Sequence, residues 1–352
     1  MNGKKKLEDL IDHVVKEGGS DLHLAEEKRP AIRVTGSLVQ LIKYDPLTQA
    51  DIMEFLSEML TPKNKEKFLL EKEVDFSYTS SDVRFRGNCF FQRGLIGIAL
   101  RLIPKQIKTI EDLHLPSILE SFAQKQQGFF LVAGPVGQGK STTLASLIEL
   151  INRERSEHIV TIEDPIEYVY EAKKSIIDQR EVGIDTKDFA QGLKSMFRQD
   201  VDVALIGEMR GPETIAAAVT AAETGHLIFS TLHTNTASQT IDRIIDSFPA
   251  EQQNQICVQL SNSLTGILSQ RLIPRISGGL IPAYELLINN KAIANLIRER
   301  RTYEIDSVIE TSSQKGMMSL NKSLADLVRN GEITIENAYK HSTNVNMLEK
   351  LI

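Results

Sequence analysis

The chain has 352 residues, 41% of them hydrophobic and 25% charged, with a net charge of −6. That length has room for two or three domains, and that composition belongs to a soluble globular protein with a sizeable core. The acidic balance argues against a general nucleic-acid binder, and no apolar run reaches the roughly 20 residues that span a bilayer.

The N-terminus, MNGKKKLEDLIDHVV, is basic at first but has acids inside its apolar pattern, so it reads poorly as a signal peptide. No direct membrane insertion is expected, and any membrane association would come through a partner. The two cysteines, Cys89 and Cys257, are too far apart in sequence for a metal-ligand pair and are expected as free thiols. Leu7, Leu10, Ile11, Val14 and Val15 predict an amphipathic helix over 5–16, stopped by Gly18-Gly19. Short alternating stretches at 21–24, 31–34 and 38–42 predict a small antiparallel sheet. Thr48 can cap a helix running to about Leu60, and Pro62 can open another ending near Glu71. Strands are expected at 74–78, 83–92 and 95–103, with joints at Ser80-Ser81 and near Gly94. The stretch 104–116, with two prolines and little periodicity, reads as a linker.

Beyond it the pattern changes. Phe129 to Ala133 is a short apolar run suited to a strand buried on both faces. It breaks into Gly134-Pro135-Val136-Gly137-Gln138-Gly139-Lys140-Ser141-Thr142, which matches G-x-x-x-x-G-K-[ST] without a mismatch. Leu144, Leu147, Ile148 and Ile151 then mark one face of a helix. Glycines let backbone N–H groups encircle phosphate oxygens, and the helix N-terminus adds its positive end. Lys140 would reach the β- and γ-phosphates of a nucleotide, and the Ser141 hydroxyl would ligand Mg²⁺. Further β-rich runs at 158–162, 201–206 and 227–231 alternate with helical segments, which predicts a mostly parallel sheet. After Pro274 short helices are expected at 291–301, 317–329 and 335–341.

Ligands on such sheets bind outside the carboxyl ends of the strands. Three later strands deliver polar groups there: Glu163-Asp164 from one, Gly207-Glu208 from the next, and His233 from the third. A carboxylate so placed can hold Mg²⁺ or orient an attacking water; Glu208 best fits the second task, and Glu163 competes for it. His233 could sense the γ-phosphate as a donor.

These stretches resemble the hexameric secretion and pilus ATPases, and among them the type IV pilus retraction motors. The resemblance runs nearly the whole length and rests on SDLHL (20–24), the phosphate loop, TIEDPIEY (161–168), QREVG (179–183), LIGEMR (205–210) and ETGHLIFSTLHTN (223–235). It implies an α/β protein with an N-terminal PAS-like domain over 1–103 and a RecA-like ATPase domain over 117–352. Within the latter it implies a mostly parallel sheet and a helical C-terminal subdomain from about 275. It also implies a homohexamer acting on an inner-membrane pilus platform from the cytoplasmic side. Family members complete the nucleotide site with N-terminal arginines, and alignment favours Arg86 and Arg101 here. Val136 and Gln138 replace a usual Thr and Ser, Val201 a usual proline, Gly211-Pro212 a usual Asp-Leu, and Ala294 an arginine. Pilus-assembly and type II secretion ATPases share these boxes but carry a longer N-terminal region and a four-cysteine segment. A non-hydrolysing nucleotide-dependent regulator is the reading from another class.

Overall fold

The computed structural model describes residues 3–34, 36–80, 83–209 and 211–352; the joint read at Ser81, and Arg210 of the LIGEMR box, lie outside them. The chain divides into two units, Met1–Gln106 with Pro165–Val169, and Ile107–Asp164 with Tyr170–Ile352.

The first unit holds α1 (Gly3–Lys16), β1 (Asp21–Ala25), β2 (Ala31–Val34), β3 (Ser37–Gln40), α2 (Gln49–Met59), α3 (Pro62–Glu71), β4 (Glu73–Ser80), β5 (Val83–Gln92) and β6 (Leu95–Ile103). Its strands pair antiparallel in the order β3-β2-β1-β6-β5-β4. The apolar stripe of α1, Leu7, Leu10, Ile11 and Val14, is buried in one core with Ile52 and Phe55 of α2 and Leu22, Phe85 and Ile98 of the sheet. Thr48 and Asp51 form the reciprocal cap that starts α2, and Pro62 opens α3 where its missing N–H is not needed.

The second unit begins with α4 (Glu120–Ala123), β7 (Gly128–Ala133), α5 (Lys140–Glu154), β8 (His158–Glu163), β9 (Ile176–Glu181), α6 (Phe189–Met196), β10 (Val203–Ile206) and α7 (Pro212–Glu223). It continues with β11 (Leu227–Leu232), α8 (Ala237–Asp246), α9 (Ala250–Ser263), β12 (Leu264–Pro274) and β13 (Leu280–Ile288). Helices α10 (Lys291–Arg298), α11 (Ile305–Thr311), α12 (Leu320–Arg329), α13 (Ile335–His341) and α14 (Val345–Leu351) follow. The sheet runs β13-β12-β7-β11-β10-β8-β9 and is parallel except for β13. Every residue of β7 is buried, as its unbroken apolar run requires of a strand covered on both faces.

Three expectations need revision. Residues 107–116 group with the second unit and anchor on it through the buried Ile110 and Leu115, so most of the stretch read as linker belongs to that unit. The helical C-terminal region starts at Lys291 rather than near 275, because β13 continues the sheet to Ile288. The polar strand β9, left out of the sequence reading, closes the other edge. No helix among the described residues is long and apolar enough to cross a membrane.

Candidate functional site

The phosphate loop joins β7 to α5 at the carboxyl end of the parallel strands. Gly134 and Gly139 have φ of 145° and 79°, values that L side chains rarely adopt. Gly139 also caps α5 and brings no capping side chain, so the helix opens onto the loop with its backbone donors and dipole toward the site. Lys140 is only 7% exposed, and its ammonium donates to the carbonyls of Gly134 and Pro135, each at 2.8 Å. This curls the loop around one cation. Val136 and Gly137 form the exposed tip, while Ser141 and Thr142 stand in the first turn of α5, half-buried.

The neighbouring strands carry the acids and the histidine to the same end. Ile162 of β8 pairs with Ile206 of β10, so Gly207 follows opposite Glu163, and the Gly207 N–H donates to the Ile162 carbonyl at 2.8 Å. Thr231 of β11 donates to the Gly207 carbonyl at 2.6 Å and fixes the backbone from which Glu208 projects. Gly207 is not in a left-handed conformation, so the backbone leaving β10 does not depend on glycine's freedom. Glu163 is 6% exposed and accepts from the Thr161 hydroxyl at 2.6 Å. His233 sits just past β11, with Nδ1 3.3 Å from Lys140 Nζ and Nε2 3.6 Å from Glu208 Oε2. Lys140, His233 and Glu208 therefore form one connected group at the loop's mouth. His226, by contrast, is turned back on the end of α7, with Nδ1 3.0 Å from the Ala221 carbonyl.

Beside the loop lies a cavity of about 370 Å³, lined among others by Lys108, His114, Thr142, Leu272, Arg275 and Gly278. The sequence reading missed this wall, and it missed Gln270 of β12, which hydrogen-bonds the loop and α5.

Arg86 and Arg101 lie in the first unit, as cross-strand partners on β5 and β6. Arg101 Nε donates to Asp21 Oδ1 at 2.9 Å, and Arg86 stands 3.9 Å from Glu167, which groups with the same unit. Burial pushes the Asp21 carboxyl up, but the Ser20 hydroxyl and the Arg101 guanidinium outweigh it and hold it below its ordinary value.

The three residues expected to hold a metal, Ser141, Glu163 and Glu208, offer only oxygen, a hydroxyl and two carboxylates. Among the described residues no group of three or more His, Cys, Asp or Glu is assembled for a metal ion. Oxygen donors are the kind Mg²⁺ takes, one or two from protein together with substrate phosphates and water.

The Type II/IV secretion system protein family matches residues 3–280. The Type IV pilus retractation ATPase PilT of Pseudomonas aeruginosa is 43% identical over 333 residues, covering 94% of this chain and 96% of its own. A twitching motility protein of Neisseria gonorrhoeae is 43% identical over 317 residues, covering 90% and 84%. A crystal structure of the pilus retraction motor PilT with bound ADP has a TM-score of 0.91 and 45% identity, covering 97% of this chain and 98% of that one.

Proposed function

We propose, for a chain that belongs to the Type II/IV secretion system protein family, a motor that hydrolyses ATP to power type IV pilus retraction. The likeness to the retraction motor with ADP, at 45% identity over nearly all of both chains, carries this reading. The phosphate loop, Gly134 to Thr142, would wrap the phosphates with backbone donors and the Lys140 ammonium, and the adjoining cavity would take the base and ribose. Ser141, with Glu163 or Glu208, would hold Mg²⁺, which when bound neutralises charge on the β- and γ-phosphates. Glu208, less enclosed than Glu163, is assigned the orientation of the attacking water, and His233 links it to Lys140. Arg86 and Arg101 are assigned, by resemblance, the stabilisation of charge on the transferring phosphoryl group.

In this reading six copies form a ring at the cytoplasmic face of the inner membrane. ATP-driven motion between the two units is passed to the pilus platform. Phosphate release by the purified protein tests the chemistry: wild type turns over ATP, and Lys140→Ala does not. Absence of turnover in assembled wild-type protein would leave a nucleotide-dependent regulator as the better reading.

A further inference from the structure

Strand β12 outruns its neighbour. Its parallel pairing with β7 ends at Ser269 opposite Ala133, yet β12 continues to Pro274. A strand that extends past its partner leaves backbone groups with no ladder to complete, and they must be paired some other way.

The phosphate loop lies on that edge, and side chains do the pairing. The Leu272 N–H donates to Gln138 Oε1 at 2.7 Å. Gln270 Nε2 donates to the Gln138 carbonyl at 2.8 Å, and Gln270 Oε1 accepts from the Thr143 hydroxyl at 2.7 Å. Gln270 is 3% exposed, so these bonds stand in for the water its amide would otherwise need. The fit is tight at both ends of the loop. A Cβ on Gly134 would lie 2.5 Å from the Gln270 carbonyl oxygen, and one on Gly139 would lie 2.9 Å from Gln270 Nε2. The two glutamines thus tie the middle of the loop and the helix that follows it to one strand, against which the start of the loop packs closely. Leu272 also lines the cavity beside the loop, so the same brace fixes that wall.

We propose that Gln270 and Gln138 are positioning residues that hold the phosphate loop in its receptive form before nucleotide arrives, with Thr143 as their anchor in α5. This rests on the nucleotide reading above. A glycine-rich loop released from its brace samples many conformations, and only the receptive fraction binds; the apparent Kd rises as that fraction falls. Once phosphates are bound they order the loop themselves, so turnover at saturation is spared.

The test compares wild type with Gln138→Met, Gln270→Met, Thr143→Val and Thr143→Ser, all full length, measuring Kd for a fluorescent ADP analogue and kcat and KM for ATP. The first three variants should raise Kd and KM by about tenfold or more. For Gln270→Met and Thr143→Val, kcat should stay within about twofold of wild type. Thr143→Ser keeps the hydroxyl donor and should keep the wild-type Kd, a rescue that a purely steric role of Thr143 would not give. Gln138 is half-buried on the loop, so Gln138→Met remains informative if Gln270→Met fails to fold. Unmoved Kd in Gln138→Met and Thr143→Val overturns the brace, as does a loss of kcat at unchanged Kd. Wild type that binds no analogue overturns the ATPase reading together with the brace, whereas normal wild-type binding with unmoved variants overturns the brace alone.

Discussion

The Nε2 atom of His233 lies 3.6 Å from Glu208 Oε2, and the other ring nitrogen faces the Lys140 ammonium at 3.3 Å. An ammonium only donates, so Nδ1 must present its lone pair and the ring proton belongs on Nε2, toward the carboxylate. One imidazole thereby ties the loop lysine to the carboxylate on the next strand but one.

The two acids separate by their surroundings. Glu163 is enclosed and spends an oxygen on Thr161, whereas Glu208 faces the loop's mouth beside His233. Glu208→Gln should bind nucleotide normally and lose about a hundredfold or more in kcat, the size expected when a water-positioning or general-base carboxylate is lost. Single-turnover phosphate release alongside a nucleotide Kd checks it. A larger loss in Glu163→Gln would reverse the two roles.

The arginines of the first unit are unequal. Arg101 is engaged by Asp21 at 2.9 Å, while Arg86 stands 3.9 Å from Glu167. Arg86→Ala should therefore lower kcat more than Arg101→Ala does, with little change in nucleotide Kd, because a guanidinium acting on phosphoryl charge serves the transition state. A changed Kd at constant kcat would make Arg86 a binding residue instead.

Glu285 of β13 couples stability to pH. It is buried, its Oε1 accepts the first N–H of α8 from Ala237 at 2.7 Å, and burial raises its pKa from 4.5 to about 7. The neutral acid is the form the fold prefers, so its stabilising contribution is whole below pH 4.5 and is lost as pH rises through 7. At full ionisation the loss is about 3 kcal/mol. Chemical denaturation at pH 5 and pH 8.5 checks it. Glu285→Gln should gain stability over wild type at the higher pH, and a constant difference between the two proteins at both pH values would remove Glu285 as the cause.

Helix α10 separates packing from coupling. Ile293, Leu296 and Ile297 are buried, while Asn295, Arg298 and Glu299 are exposed, and Glu299 is held by Asn295 and Arg301 at the surface. Leu296→Ala should cost about 2–5 kcal/mol of stability. Arg298→Ala and Glu299→Ala should melt like wild type and still hydrolyse ATP, yet fail to retract pili. Normal twitching in cells carrying them would make α10 scaffold only.

How much of this was legible in the sequence follows from how local each signal is. The phosphate loop, its strand and its helix are written in consecutive residues, and so are Thr48 and Pro62 as helix starts. Strand β13 was missed because Pro282 argues against a strand interior; the structure places β13 at the sheet's edge, where a missing N–H is tolerated. Strand β12 follows α9 with no turn residue to mark the change, since Ser263 ends one and Leu264 begins the other. Gln270 acts on residues 127 and 132 positions away in the chain, and no local pattern announces such a partner.

The most direct test of the whole account is pilus number and twitching in a strain lacking the gene, with complementation by wild type and by Lys140→Ala. Retraction by ATP hydrolysis predicts excess surface pili with no twitching, restored by wild type and not by Lys140→Ala. Cells without pili would instead identify an assembly motor and contradict the account.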